Sequence, residues 1–287
     1  MLEMLINPKK GERNPWELFF VGAFYASLSI LLVNWIFAQD AVLSRYSGIL
    51  MVTFTVMFSM PFIYYTIRLE EKRVNPTEGT WELIKEHRNA IYAFMFLFIG
   101  FVVAFSFWYI VLSSNESFRA QIETYCVINR PSSFNECVHQ YGLKDSTNVV
   151  VTGGVTSIQR LGMIFWNNFY VCIFTLVFSL IFGAGVIFIL AWNASVIAAA
   201  IGIFTKSQLI SLPYGLARYL IHGIPEIAAY FIIALAGGII SVAVIRHEAG
   251  TEKFWEVLRD SLSLIFLGIV ILFVAAVIEV FVTPLLF

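Results

Sequence analysis

The chain has 287 residues, of which 59% are apolar, 16% aromatic and only 13% charged. A soluble domain is about half apolar and a quarter charged, so this composition is typical of a protein that lies in a lipid bilayer. The 18 basic and 19 acidic residues leave no positive excess to neutralise phosphates, and we expect no nucleic-acid partner. Water-soluble enzyme classes are excluded, and the sequence contains no Cys-x-x-Cys or His-Glu-x-x-His zinc signature.

Long apolar runs predict an all-α, polytopic membrane protein. A transmembrane helix needs roughly 20 consecutive apolar residues, and we count seven such runs. They are Leu18–Ala38, Tyr46–Ile67, Ala90–Leu112, Leu161–Phe182, Val186–Phe204, Ile227–Ile245 and Leu262–Phe287. Only a glycine turn at Gly183-Ala184-Gly185 separates the fourth run from the fifth.

The basic residues predict the orientation, because cytoplasmic loops carry an excess of lysine and arginine. With the N-terminus inside the cell, the pieces 1–17, 68–89 and 246–261 all become cytoplasmic and hold most of the basic residues near the spans. We therefore expect a multi-pass protein of the cell membrane with a cytoplasmic N-terminus and an extracytoplasmic C-terminus.

This order of elements predicts three regions. Residues 1–112 contain three transmembrane helices, 113–160 form an extracytoplasmic loop domain, and 161–287 form a four-helix core. Cys126 and Cys137 lie in the loop, where an oxidising compartment favours a disulfide that stabilises the fold by about 3 kcal/mol. Two free thiols are the alternative. If the chain has a protein partner, we expect it to bind through this loop.

The segment before the sixth run predicts a broken or re-entrant helix. Ser207 to Ile221 is too polar for a standard span and too apolar for a free loop, and Gly223 and Pro225 follow it directly. Such a segment is tolerated at membrane depth where protein surrounds it or where it lines a cavity.

Polar residues at membrane depth gather in the C-terminal half. Ionisable and amide groups in lipid are costly and usually face the bundle interior, where they often mark function. The candidates are Asn167, Asn168, Asn193, His222, Glu226 and Glu279. Their depths along the predicted spans are similar, so we expect an outward-facing polar pocket. Alternatively, each asparagine bonds to a neighbouring helix backbone, and Glu226 only occupies the first turn of its helix.

Several motifs in this half resemble the stage II sporulation protein M family. They are Phe165-Trp-Asn-Asn168, Phe182-Gly-Ala-Gly185, the stretch from Asn193 to Gly202, His222-Gly-Ile-Pro-Glu226 and Ala236-Gly-Gly238. The resemblance implies an integral membrane protein, and the three N-terminal helices look like the extension seen in archaeal members. The bacterial namesake is a membrane partner that localises cell-wall hydrolases, with no catalysis of its own established.

Three functions follow, in descending order of support. The first is a non-enzymatic membrane scaffold or partner-recruiting protein, as the resemblance implies. The second is a transporter or channel-like ligand-binding protein, which the polar pocket beside a broken helix favours. The third is an intramembrane metal-dependent hydrolase with zinc on His222 and Glu226, which form a poor ligand set on their own. We predict no cofactor, and we leave open whether the chain forms a homo-oligomer.

Overall fold

The computed structural model describes residues 14–37, 39–40, 42–71, 80–112, 116–130, 133–141, 156–182, 186–245 and 251–287. In these residues every regular element is a helix. The α-helices are α1 Glu17–Phe37, α2 Ser47–Glu71, α3 Thr80–Leu112, α4 Arg119–Asn129, α5 Phe134–Gln140, α6 Ser157–Phe182, α7 Val186–Phe204, α8 Leu212–Ile245, α9 Glu252–Val277 and α10 Thr283–Leu286. A π-helical turn, Ile278–Val282, joins α9 to α10. The predicted turn at 183–185 lies outside the described residues.

Seven segments of the described chain are long and apolar enough to cross a membrane. They are Glu17–Phe37, Leu43–Ile63, Ile91–Leu112, Ser157–Leu180, Ile187–Phe204, Leu209–Ser241 and Phe254–Leu286. The prediction of an all-α, polytopic membrane protein is therefore confirmed. Its orientation in the membrane and its division into three regions stay predictions.

Glycines bring α1 and α3 into the most extensive helix contact of the structure. A Cβ atom on Gly22 would meet the backbone of Leu97, and one on Gly100 would meet the backbone of Phe19. Small residues of this kind let two membrane helices approach closely enough for dense van der Waals packing. Helix α3 also packs on α7, whereas α8 packs mainly on α6 and α9, so α3 and α7 connect the N-terminal helices to the C-terminal core.

Helix α8 corrects the prediction of a broken or re-entrant segment. It runs without interruption for 34 residues and contains Pro225 in its interior. The chain reverses earlier, where Lys206 and Ser207 adopt φ angles of 51° and 55° and a short 3₁₀ turn, Leu209–Ser211, follows. Proline removes one intrahelical hydrogen bond, but membrane helices tolerate it when neighbouring groups compensate, and α8 has helices packed around it. Gly223 and Pro225 therefore do not interrupt the helix, contrary to the prediction.

Helices α4 and α5 form a disulfide hairpin, the segment 116–141, in which Cys126 is bonded to Cys137 with a Cα–Cα distance of 5.8 Å. The third cysteine, Cys172, is free and buried in α6. Phe118 and Ile122 of the hairpin are fully buried and share one apolar core with the transmembrane helices. The hairpin is therefore inserted into the end of the bundle.

Gln121 fastens this hairpin to two transmembrane helices. Its side chain is fully buried, and its amide nitrogen donates to the carbonyl of Gly48 in α2 at 2.8 Å and to the hydroxyl of Ser195 in α7 at 3.1 Å. A Cβ atom on Gly48 would overlap with Oε1 of Gln121. Gly48 is thus the position that leaves room for the glutamine.

We predict that Gly48→Ala destabilises the protein by about 1 to 3 kcal/mol, the usual cost of forcing extra volume into a packed site. The matched control is Gly162→Ala in α6, where a Cβ atom meets nothing within 4 Å and alanine is neutral or slightly stabilising. Thermal unfolding of both variants in detergent measures the difference. Equal melting temperatures for the two variants would contradict the role of Gly48.

Candidate functional site

Three polar side chains form a stripe along one face of α8. Because the helix is continuous, residues four apart lie above one another, and His222, Glu226 and Tyr230 have this spacing. All three are buried, Tyr230 fully so. The Tyr230 hydroxyl donates a hydrogen bond of 2.7 Å to Oε1 of Glu226. Glu226 is therefore held by a partner inside α8.

Helix α6 supplies Asn168, which is buried against the same stripe. Its side chain is near enough to the Glu226 carboxyl group to interact with it electrostatically. Two serine hydroxyls connect these helices elsewhere: Ser179 donates to the Ala234 carbonyl at 2.5 Å, and Ser241 donates to the Leu180 carbonyl at 2.9 Å. The later residue in α6, Leu180, contacts the later residue in α8, Ser241. The two helices therefore run in the same direction and are parallel.

The C-terminal segment closes the site from the other side. Nδ1 of His222 lies 3.3 Å from Oγ1 of Thr283, and the Thr283 hydroxyl donates to the Ile278 carbonyl across the π-turn at 3.1 Å. Because Thr283 has used its only hydrogen, we assign Nδ1 of His222 as the donor in their contact. A single π-turn is rare and frequently occurs at functional sites.

Glu279 lies in this π-turn, four residues before Thr283, while Glu226 follows His222 by four residues. Helices α8 and α9 are antiparallel neighbours, so the His222–Thr283 contact brings Glu279 opposite Glu226, and the two carboxyl groups interact electrostatically. We call the six residues from these three elements the polar cluster. They are Asn168, His222, Glu226, Tyr230, Glu279 and Thr283.

Two members of the cluster lie near the middle of their candidate spans, whereas Glu279 and Thr283 lie near the end of the span Phe254–Leu286. Helix α8 begins at Leu212, so Glu226 is about 21 Å along it at 1.5 Å per residue, near the middle of the span Leu209–Ser241. Asn168 is likewise near the middle of Ser157–Leu180. A charge at the centre of a bilayer costs about 2.5 to 3.5 kcal/mol on insertion scales, which explains why these groups contact one another rather than lipid.

Asn193 is not joined to the cluster, because it donates to the Ile189 carbonyl of its own helix at 2.8 Å and not, as the packing alternative expected, to a neighbouring helix. Asn167 donates to Oδ1 of Asn168 at 3.1 Å, yet its side chain is exposed on the outside of α6. Of the six predicted residues, the structure thus brings together Asn168, His222, Glu226 and Glu279.

Tyr230 and Thr283 were missed in the sequence. The spacing of four residues between Glu226 and Tyr230 predicts their contact only if the helix is continuous. Pro225 led us to expect a break in that helix. Thr283 gives no such signal, because its contact with His222 depends on the register between two helices. In the described part of the chain, no group of three or more His, Cys, Asp or Glu residues is arranged to hold a metal ion.

We predict that Glu226→Gln and Tyr230→Phe are each destabilising and that their effects couple. Tyr230→Phe removes the donor and Glu226→Gln replaces the carboxyl acceptor with an amide oxygen, so both variants act on one hydrogen bond, which contributes about 0.5 to 1.5 kcal/mol. A double-mutant cycle of thermal stability in detergent measures the coupling. As a control, Glu226→Gln combined with Thr53→Val should be additive within about 0.5 kcal/mol, because Thr53 is bonded to Ile49 within α2. Additivity of the first pair would refute the contact.

Comparison with known proteins agrees with the motifs. The model of the family described as stage II sporulation protein M matches residues 89–284. This range extends from α3 into α10 and contains every member of the polar cluster. No curated protein and no solved structure matches the chain. The matched range covers more than half of the chain, and the protein therefore belongs to the stage II sporulation protein M family.

Proposed function

We propose that this protein is a non-enzymatic membrane scaffold that recruits a protein partner through its disulfide hairpin. The observation that carries the proposal is the way the hairpin is mounted. One side of it is inserted into the transmembrane bundle through Gln121, Phe118 and Ile122. A surface fixed in this way has little freedom to lose when a partner binds, and such preorganisation increases affinity.

The opposite side of the hairpin is polar and accessible. Arg130, Glu136, His139 and Gln140 are exposed, and Arg130 donates to the Gln140 side chain at 3.0 Å across the two helices. In the orientation that the basic residues favour, with the N-terminus in the cytoplasm, this surface lies outside the cell membrane. An extracytoplasmic partner with complementary polar groups is the occupant that fits it.

The polar cluster supports the same function from inside the membrane. The His222–Thr283 contact joins α8 to the C-terminal segment, and the bonds of Ser179 and Ser241 join α8 to α6. Bonds of this kind keep the helices in one arrangement. A scaffold requires this fixed geometry so that the partner is held at a constant place on the membrane.

We predict that a photo-crosslinking amino acid at Glu136 or Gln140 gives one discrete protein adduct in native membranes. The matched control is Leu285, which is 85% exposed and lies at the same end of the bundle in the favoured orientation. Cys126→Ser combined with Cys137→Ser should abolish the adduct while the amount of protein in the membrane stays the same. Equal adducts from Leu285, or adducts that persist without the disulfide, would refute the proposal.

Transport is a second candidate, and one specific feature favours it. Glu226 and Glu279 are close enough to interact electrostatically, and the hydrogen bond of Glu226 comes from a tyrosine rather than from a basic side chain. Intramembrane carboxyl groups commonly take up and release protons in pumps and transporters. A proton held between the two carboxyl groups would remove the cost of burying two negative charges.

If transport is the function, proteoliposomes that contain the protein should show proton uptake under an imposed pH gradient, reported by an internal pH-sensitive dye. Glu226→Gln and Glu279→Gln should each reduce the initial rate at least about tenfold, since one decade corresponds to only 1.4 kcal/mol. Glu256→Gln, on the exposed surface of α9, is the control. A wild-type rate equal to that of empty liposomes would eliminate this candidate.

A further inference from the structure

Asn167 occupies an unusual place in α6. The candidate span Ser157–Leu180 puts ten residues before Asn167 and thirteen after it, so its side chain lies close to the middle of that span. That side chain is exposed on the outer surface of the bundle. One of its amide hydrogens is bonded to Asn168 at 3.1 Å, and within the described residues its carbonyl oxygen and second amide hydrogen have no hydrogen-bond partner.

Lipid tails cannot satisfy these atoms. The hydrocarbon core contains no hydrogen-bond donors or acceptors, so an amide exposed there is strongly unfavourable unless another polypeptide covers it. Asparagine is known to connect membrane helices by hydrogen bonds. The exposed amide of Asn167 therefore indicates a contact with another chain at this depth.

The aromatic residues around Asn167 provide independent support. Trp166 is 56% exposed and Tyr170 is 58% exposed, and their rings lie 6.2 Å apart beside the amide. Tryptophan and tyrosine normally lie at the membrane–water interfaces, where water satisfies their polar tips. Here both lie near the middle of the span, and together with Asn167 they place three hydrogen-bonding side chains on a surface that would otherwise face lipid. We call these three residues the α6 patch.

We propose that the α6 patch is the interface of a homodimer, in which α6 packs against α6 of a second copy. Two copies in one membrane have the same orientation and are related by a two-fold axis along the membrane normal, so each residue meets its counterpart at the same depth. An amide carries both a donor and an acceptor. Two Asn167 side chains at the same depth therefore satisfy each other without any other polar residue.

A second copy fits better than an unrelated partner for the same reason. An unrelated helix would need its own amide or hydroxyl at the middle of the membrane, in register with Asn167, whereas a second copy has this by symmetry. The exposed residues at helical spacing on either side of the patch, Met163 and Phe174, are apolar and complete a contact face along α6. This inference does not depend on the scaffold or on the transport candidate.

Disulfide crosslinking in membranes tests the proposal. Met163→Cys and Phe174→Cys place a thiol on the contact face without changing the patch, and copper-phenanthroline oxidises neighbouring thiols. The chain without an added cysteine sets the baseline, because Cys172 is buried. The matched controls are Val270→Cys and Phe266→Cys, which are exposed on α9 at similar depth.

We expect both α6 variants to give a product of twice the 32.5 kDa chain mass, in yields several-fold above those of the α9 controls. Asn167→Leu, added to either α6 variant, should reduce the yield several-fold while the melting temperature in detergent stays near that of the parent. Equal yields from α6 and α9, adducts of another mass, or a yield unchanged by Asn167→Leu would overturn the homodimer.

Discussion

The C-terminal half of this protein depends on one constraint, which is that a polar group in hydrocarbon must find its hydrogen-bond partner in protein. Glu226 satisfies it with Tyr230 one turn away in α8. His222 satisfies it with Thr283. Because His222 and Thr283 come from different helices, the same bond that removes the cost of burying them also fixes how the helices pack.

The disulfide hairpin meets the constraint in part, because the amide nitrogen of Gln121 is bonded whereas its Oε1 is buried without a hydrogen-bond partner among the described residues. Gln121 can enter the apolar core because Gly48 and Ser195 offer acceptors to its amide nitrogen. Apolar residues alone could pack the hairpin in several registers, whereas a buried amide with two partners tolerates only one. Buried hydrogen bonds thus hold both the hairpin and the polar cluster in place. In the scaffold function that we propose, both give the protein the rigidity that a partner-binding surface needs.

The sequence predicted the features that depend on the local pattern of apolar and polar residues. Seven apolar runs were enough for the spans, and their polar interruptions were enough to find Asn168, His222, Glu226 and Glu279. It failed where a contact between helices outweighs a local preference. Pro225 disfavours a helix by itself, yet packing around α8 keeps the helix continuous, and this continuity places Glu226 inside a helix rather than at its start. The insertion of Gln121 beside Gly48 depends on a separation of 73 residues, which no local pattern records.

The neighbouring residues Asn167 and Asn168 show how far the constraint extends. One residue along a helix turns a side chain by about 100°, so two adjacent asparagines cannot both face the same helix. Asn168 faces α8 and finds Glu226, and Asn167 faces outward with an amide that the described part of the chain satisfies only in part. If packing within one chain were the only requirement, an apolar residue at 167 would serve better than an amide. In the homodimer that we propose, the paired asparagines belong to two different interfaces, one that folds the core and one that joins two cores in the plane of the membrane.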